Sequence, residues 1–208
     1  MARGKNSGYA VIGKRVLDLL LVLLALPVAL PIILLSALVL LLESGLPFYC
    51  QERLGQKGKR FRIIKLRTMV RDADARLQDH LNSDPELRRE WETTQKLKSD
   101  PRITRVGRIL RMTSLDELPQ LWNVLTGEMS LVGPRPMLPE QLPLYGEASA
   151  YFAVKPGITG IWQVSTRNES SFASRAKADV DYLGHMGLQQ DLSLIWRTFG
   201  VVAKGTGY

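Results

Sequence analysis

The chain has 208 residues, a length that suits one domain of ordinary size with an additional segment and excludes two large domains. Its 28 Lys and Arg residues against 20 Asp and Glu residues give a net charge of +8, which favours an anionic partner: nucleic acid, phospholipid headgroups or a phosphorylated substrate. The single cysteine, Cys50, excludes an internal disulfide framework, and two histidines are too few to suggest a structural zinc site.

The first feature along the chain is a membrane segment. Residues 16–42 form a run of 27 residues in which only Asp18 is ionisable. The Glu-Ser-Gly-Leu-Pro sequence that follows is a poor cleavage site, so we expect the segment to be retained and not removed as a signal peptide. Asp18 is expected to pair with Lys14, with Arg15 or with a basic residue of the soluble part.

The path of this segment depends on its prolines. A straight helix of this length would extend about 40 Å, against a hydrocarbon core of about 30 Å. Pro27 and Pro31 lie near the middle, and a sharp bend at Leu30-Pro31 leaves two arms of roughly 20 Å, each too short to cross. Basic residues flank both ends, which favours a cytoplasmic position for both. We predict a re-entrant helix; the alternative is a tilted, Pro-kinked spanning helix.

A β-hairpin is predicted next. Two β-prone runs, residues 48–50 and 61–64, are joined by the turn sequence Gly-Gln-Lys-Gly. Residues 51–67 carry seven positive charges against the single acid Glu52, which suits a position beside anionic headgroups. Lys65 and Arg67 alternate with apolar residues and project from one strand face. They are candidate phosphate ligands, with a solvated basic strand as the alternative.

Two helical regions follow. Residues from about 70 to 100 read as a charged helical insertion, in which Asp84-Pro85 marks a helix start, and no chemistry is assigned to it. After it, an apolar stripe runs beside arginines that recur at every third position, which is typical of a helix in the membrane interface. These arginines are Arg102, Arg105, Arg108 and Arg111.

The stretch TSLDELPQLWNVLTGEMSLVGPRP, residues 113–136, has the most unusual local chemistry. Ser114 and Glu117 have the spacing of a capping box, so a helix should begin at Leu115, and Gly127 is placed to end it. Asp116 then lies in the first turn, where it should be ionised and where phosphate is also attracted. A divalent cation would let both anions meet there, which would make a phosphoryl-transfer site. The alternative is an ordinary acidic helix start.

Further candidates lie in the last third of the chain. Arg135 stands between two prolines and is preorganised to hold a phosphate, although a rigid turn explains the prolines equally well. Residues 161–164 are strand-like, and Arg167 after them is a candidate anion ligand. Asp179 is expected to pair with a basic residue of its own helix, and Asp191 to cap the last helix.

The segments KRVLDLLLVLLALPVALPII, IIKLRTM, TSLDELPQLWNVLTGEMSLVGPRP and KPGITGIWQVSTRN together resemble the monotopic bacterial sugar transferases, the polyprenyl-phosphate phosphoglycosyl transferases. The resemblance implies transfer of a sugar 1-phosphate from a UDP-sugar to undecaprenyl phosphate, with release of UMP, at the cytoplasmic face of the bacterial inner membrane. It implies that Asp116 is the nucleophile and binds Mg²⁺, that Glu117 is its partner, and that the membrane helix bends at Leu30-Pro31. Many members have Ser in place of Leu30.

The resemblance also implies that phosphates are held by Arg135 and Arg167, and further by Lys65 and Arg67. The insertion and the Gly-Tyr terminus look most like members that transfer galactose 1-phosphate. Longer relatives carry additional N-terminal helices and a further domain, so the chain resembles either a short member or the catalytic part of a longer one. The sequence does not give the oligomeric state, and a homodimer is one option.

The predicted architecture is α+β: a mainly helical, membrane-associated domain with a small β-hairpin and interfacial amphipathic helices. Residues 1–45 form the re-entrant membrane helix and residues 46–208 the cytoplasmic catalytic domain. A non-catalytic, membrane-anchored scaffold of a glycan assembly complex is the main alternative. A nucleic-acid partner is not expected, because Phe61 is the only aromatic residue among the charges of residues 51–67.

Overall fold

The structure, a computed structural model, describes residues 8–94, 97, 100–165 and 172–203. It is mainly helical with two small two-stranded sheets, in agreement with the predicted α+β class. The α-helices of the described part are α1 (Lys14–Ser44), α2 (Ala73–Ser83), α3 (Pro85–Thr94), α4 (Arg105–Met112), α5 (Leu121–Thr126), α6 (Leu142–Tyr145), α7 (Ser149–Ala153), α8 (Ile161–Ser165), α9 (Phe172–His185) and α10 (Leu188–Ala203). The strands are β1 (Phe48–Leu54), β2 (Arg60–Leu66), β3 (Ser130–Val132) and β4 (Gly157–Thr159).

Helix α1 follows a π-helical turn, Tyr9–Gly13, and continues without interruption through Pro27 and Pro31. Turn and helix together form a 36-residue element that is long and apolar enough to cross a membrane, by length and composition. The helix is not broken at Leu30-Pro31, so any bend there is distributed over continuous helical turns. The re-entrant path therefore stays a prediction.

One face of α1 packs against the rest of the chain along the length of the helix. Val22 and Ala29 join a hydrophobic core with strand β2 and helix α5. Farther along, Ala37 and Leu40 pack against the end of β2 and against α4. The opposite face exposes mostly Leu and Val side chains, together with both prolines.

Both ends of α1 are bound to the same domain. At its start, Lys14 forms a buried ion pair of 2.7 Å with Asp191 in α10, and the same carboxylate accepts hydrogen bonds from the hydroxyls of Tyr9 and Tyr182. At its end, Glu43 accepts hydrogen bonds from the N-cap side chain and the first turn of α4. The domain therefore bridges the two ends of the long apolar helix.

Two predictions about acidic residues are wrong here. Asp191 does not cap its helix; it lies in the first turn of α10 and is fully buried. Asp18 does not pair with Lys14 or Arg15, because its carboxylate accepts hydrogen bonds from the side chain and backbone of β3. Lys14 pairs with Asp191 instead, and Arg15 donates to backbone carbonyls of α5. These partners are far apart in sequence, so local patterns could not indicate them.

The predicted hairpin is confirmed. Strands β1 and β2 pair antiparallel, with Phe48 opposite Leu66 and Leu54 opposite Arg60. Alternate residues of β2 point into the core, where Phe61 and Ile63 pack with α1 and α5. This alternation leaves the other face of β2 free to present charged side chains to solvent or to a ligand.

The second sheet differs from the prediction. Strands β3 and β4 pair in parallel, while residues 161–164, predicted as a strand, belong to helix α8. The segment after β3 approaches β4 so closely that a Cβ on Gly133 would lie 2.4 Å from the carbonyl oxygen of Lys155. Only glycine fits there, and the contact fixes the backbone that leads into the loop carrying Arg135.

The insertion is helical, as predicted, and α3 begins at Pro85, where Asp84 accepts two backbone hydrogen bonds. The basic helix α4 is shorter than expected. Arg102 precedes it and is buried in an ion pair of 2.6 Å with Asp100. Arg111, at its end, donates from Nε to the hydroxyl of Thr68. These two arginines face the protein and not the membrane interface.

The ion pair between Lys14 in α1 and Asp191 in α10 should make a large contribution to the free energy of unfolding. Lys14→Met leaves the Asp191 carboxylate buried without its cation, a change that typically costs about 3–5 kcal/mol. We expect a fall in the thermal unfolding midpoint of roughly 10 °C for the detergent-solubilised protein. The matched control is Arg60→Gln, which breaks an exposed ion pair with Glu52 and should cost less than about 1 kcal/mol. Equal midpoints for the two variants would contradict the assignment.

Candidate active site

A cleft of about 510 Å³ lies between the β-hairpin, the loop after β3 and helix α9. Five of the predicted site residues line this cleft: Lys65, Arg67, Asp116, Glu117 and Arg135. The remaining predicted anion ligand, Arg167, lies outside the described residues. The structure therefore brings together residues from three separate sequence segments.

Asp116 is positioned by an unusual helix start. The helix begins at Leu115, as predicted, but its first six residues, Leu115–Gln120, form a 3₁₀ helix that leads into α5. The predicted capping box is wrong, because Ser114 adopts a left-handed conformation with φ of 55° and its side chain makes no capping hydrogen bond. The predicted end at Gly127 is confirmed, with φ of 84°. The left-handed turn at Ser114 directs the chain from α4 into the cleft.

The two neighbouring carboxylates have different roles. Glu117 forms an ion pair of 2.6 Å with Lys65 and a longer contact of 3.4 Å with Arg135. Among the described residues, the Asp116 carboxylate has no hydrogen-bond or ion-pair partner. Glu117 therefore fixes two cations beside Asp116, and the oxygens of Asp116 stay available to a ligand.

Burial dominates the electrostatics of Asp116. The residue is only 8% exposed, and this burial raises the pKa of its carboxyl group above the ordinary range. The positive charges of Lys65, Arg111 and Arg135 lower that pKa and the charge of Glu117 raises it, but burial is the largest cause. The prediction from the helix start did not include this burial. A bound cation, or further positive charge, would favour the ionised form.

Arg111 belongs to the site but was predicted to face the membrane. Its guanidinium lines the cleft, is held by Thr68, and contributes to the electrostatic field at Asp116. Its burial lowers its pKa. The sequence could have indicated this role through the position of Arg111, which lies in the last turn of α4, shortly before the turn that leads to Asp116.

Several buried donors on residues of the cleft have no acceptor among the described residues. Among the described residues, six buried side-chain polar atoms make no hydrogen bond, and four of them are N–H donors on residues that line this cleft. They are Nε of Arg53, Nε of Arg67, Nε2 of Gln120 and Nε of Arg175. Since an unsatisfied buried donor costs roughly 1–3 kcal/mol, the cleft is suited to a ligand rich in oxygen acceptors.

The carboxylates of the cleft could bind Mg²⁺ only together with oxygen atoms of a bound substrate. In the described part of the chain, no group of three or more His, Cys, Asp or Glu residues could hold a metal ion. Glu117 is already occupied by cations, which leaves the carboxylate of Asp116. Mg²⁺ commonly takes one or two carboxylates together with substrate phosphates, and the unpaired Asp116 fits that pattern.

Beyond Arg135, the cleft continues to a second group of polar residues. The guanidinium of Arg175 lies 4.4 Å from the ring centroids of both Trp162 and Phe172. Asp179, one helical turn later, accepts a hydrogen bond from the hydroxyl of Tyr145. The predicted pairing of Asp179 with a basic residue of its own helix is therefore wrong. Burial raises the pKa of Asp179 to about 7.

A model of the family described as "Bacterial sugar transferase" matches residues 9–205 of the chain. The chain belongs to this family. Its relatives include the UDP-galactose-lipid carrier transferase of Erwinia amylovora, 45% identical over 93% of this chain and 41% of that protein. The exopolysaccharide production protein ExoY of Sinorhizobium fredii is 43% identical over 94% of this chain and 88% of that protein. The undecaprenyl-phosphate galactose phosphotransferase of Salmonella typhimurium is 42% identical over 93% of this chain.

Bacterial sugar transferases of different total length thus share this region: the chain spans 41% of the Erwinia and Salmonella relatives but most of the Sinorhizobium protein. The relatives also include a protein named UDP-glucose:undecaprenyl-phosphate glucose-1-phosphate transferase, from Caulobacter vibrioides, which is 40% identical over 89% of this chain. The predicted family is confirmed.

The raised pKa of Asp179 predicts how stability depends on pH. Its native pKa of about 7 exceeds the ordinary 3.8, so the folded state binds a proton that the unfolded state releases between these values. The contribution of Asp179 to stability is therefore present at low pH and decreases as the pH rises from about 4 to about 7. We expect Asp179→Asn to flatten the dependence of the thermal midpoint on pH in this window.

The control for this titration is Asp181→Asn, which removes an exposed acid of the same helix. It should leave the pH dependence of the wild-type protein unchanged. Parallel curves for the wild-type protein and Asp179→Asn would contradict the pKa assignment.

Proposed function

We propose that the protein transfers a sugar 1-phosphate from a UDP-sugar to undecaprenyl phosphate, through a covalent phosphosugar on Asp116 and with release of UMP. The observation that carries the proposal is the unpaired carboxylate of Asp116 in a cleft of cations beside the membrane helix. The reaction would be the first membrane step of surface polysaccharide or glycoconjugate synthesis. Relatives named for galactose and for glucose transfer support both sugars, and galactose 1-phosphate is our first choice.

In the first half-reaction, a carboxylate oxygen of Asp116 attacks the phosphorus that bears the sugar. A bond forms between this oxygen and phosphorus, and the bond from phosphorus to the bridging oxygen breaks, so UMP leaves with the electron pair. Lys65 and Arg135, fixed by Glu117, and Arg111, fixed by Thr68, are positioned to neutralise phosphate oxygens as charge shifts to the leaving group.

In the second half-reaction, an oxygen of undecaprenyl phosphate attacks the same phosphorus. The bond between phosphorus and the Asp116 oxygen breaks, which restores the carboxylate and gives undecaprenyl-diphosphate-sugar. The same cations serve both halves, because UMP has left before the second anion binds. The pre-ordered cations reduce the reorganisation needed in each step.

The proposal includes Mg²⁺, with Asp116 as its protein ligand and substrate phosphates completing the site. When bound, the ion would offset the negative charge of the diphosphate and of the carboxylate that approaches it. Glu117, which is bound to Lys65 and Arg135, would act by holding these cations and not as a metal ligand.

We further propose that α1 enters and leaves the cytoplasmic leaflet of the inner membrane. Support comes from the two ends of α1, since one compact domain binds Lys14 at the start and Glu43 at the end. A helix that crossed the bilayer would carry part of this domain into the hydrocarbon. Pro27 and Pro31 lie on the exposed face, and a proline inside a helix removes a backbone hydrogen bond and favours a kink. Anionic phospholipids would contact the basic surface.

Cysteine labelling tests this topology. In a Cys50→Ser background, Gly8→Cys and Leu46→Cys place single thiols before and after the helix, both at exposed positions. In inverted inner-membrane vesicles, a membrane-impermeant maleimide should label both variants. In right-side-out spheroplasts it should label neither until the membrane is permeabilised. Labelling of one position from each side would establish a spanning helix.

The covalent step is tested by isotope exchange. Wild-type protein with Mg²⁺ and no lipid acceptor should exchange labelled UMP into the UDP-sugar, and Asp116→Asn should reduce this exchange by at least about 1,000-fold, because the nucleophile is lost. Glu52→Gln removes an exposed acid of the hairpin and should retain full exchange.

Two results would contradict the mechanism in different ways. Exchange retained by Asp116→Asn would point to a one-step reaction in a ternary complex. No UMP release by the wild-type protein from any UDP-sugar, with polyprenyl phosphate present, would favour a non-catalytic scaffold.

A further inference from the structure

Arg175 and Asp179 lie in the same cleft as Asp116 and Glu117, on the far side of Arg135. The guanidinium of Arg135 contacts Glu117 on one side and lies 5.9 Å from the ring centroid of Trp162 on the other. Trp162 in turn faces Arg175 at 4.4 Å. Arg135 and Trp162 thus stand between the carboxylate pair and the Arg175–Asp179 end of the same cleft.

Arg175 and Asp179 are one helical turn apart but do not pair. No contact of 4.0 Å or less joins their charged atoms in the described structure. The guanidinium of Arg175 is instead held between Trp162 and Phe172, with Nε buried and without an acceptor. One oxygen of Asp179 accepts the Tyr145 hydroxyl, and its other oxygen, Oδ1, has no hydrogen bond among the described residues.

A purely structural role does not explain this arrangement. Residues spaced i and i+4 on a helix can form an ion pair, and a buried acid is most easily stabilised by one. Here the aromatic rings contact the cation in place of the acid, so a donor of Arg175 and an oxygen of Asp179 both lack a partner among the described residues, and both residues line the cleft. Asp179 is only 5% exposed, so bulk water gives it little compensation.

We propose that Arg175 and Asp179 bind adjacent hydroxyl groups of the sugar nucleotide. A hydroxyl can accept from the guanidinium while its neighbour donates to the carboxylate, so a vicinal diol satisfies both residues. An ionised phosphate can accept from the arginine but has no proton to donate to the oxygen of Asp179. Both the hexose and the ribose of a UDP-sugar carry such a diol. The inference rests on the proposed function, which supplies the UDP-sugar.

Binding measurements test the assignment without turnover. Asp116→Asn protein in nanodiscs serves as the parent, and dissociation constants for UDP-galactose, UDP-glucose and UMP are measured by calorimetry. The test variants are Asp179→Asn and Arg175→Gln in this background, and Asp181→Asn on the exposed face of the same helix is the control. Tyr145→Phe is a third variant if either substitution prevents folding.

Loss of a hydrogen bond to a charged group typically weakens binding by about 10- to 100-fold. If the hexose is bound, the constants of one or both UDP-sugars rise by at least about tenfold in the test variants, while the UMP constant stays within about threefold. If the ribose is bound, all three constants rise together by at least about tenfold. Both results support the assignment and identify the diol.

The assignment is overturned if all three constants in the test variants stay within about threefold of the parent values, as in the control, or if the parent binds none of the three compounds. A separate assay of UMP release by the wild-type chain distinguishes the two proposals. UMP release together with unchanged binding constants refutes only the diol site, whereas changed constants without UMP release refute only the transfer reaction.

Discussion

The site depends on one constraint: a carboxylate must stay unpaired although cations surround it. Glu117 makes this possible, because it binds Lys65 and Arg135 and so holds them close to Asp116 without allowing them to close on it. Arg111 is restrained in the same way by the hydroxyl of Thr68. If any of these cations paired directly with Asp116, its carboxylate would be blocked and its charge would be neutralised before a ligand arrived. Glu117 is therefore as important to the proposed chemistry as Asp116 itself.

The fold supports this arrangement because a different structural element positions each of the site residues Lys65, Arg135 and Asp116. Lys65 comes from the hairpin whose inner face packs on α1, and Arg135 follows a backbone segment fixed by the close approach of Gly133 to Lys155. Asp116 follows the left-handed turn at Ser114. Because α1 shares its core with β2 and α5, the position of the candidate site relative to α1 is set by side-chain packing and not by a flexible linker.

Local features of the fold could be predicted from the sequence, and long-range ones could not. The hairpin and the helix end at Gly127 follow from turn residues and short-range patterns, whereas the helix starts at Leu115 as predicted but without the capping box on which that prediction rested. The strand predicted at residues 161–164 is wrong because packing overrides β propensity in so short a segment. The partners of Asp18 and Asp191, the burial of Asp116 and the site position of Arg111 all depend on contacts that only the folded chain creates. The motif indicated Asp116 as a candidate nucleophile, but not the environment that determines its pKa.

The ion pair between Lys14 and Asp191 joins residues 177 positions apart, which has a consequence for biosynthesis. At a translation rate of about 5–20 residues per second, Asp191 is made roughly 9–35 s after Lys14. During this interval the hydrophobic helix has left the ribosome, while the acid that will neutralise its lysine does not yet exist. Lipid headgroups at the bilayer surface are anions that a lysine side chain can reach in the meantime. Early membrane insertion and late docking of the final helix would then be successive stages of maturation.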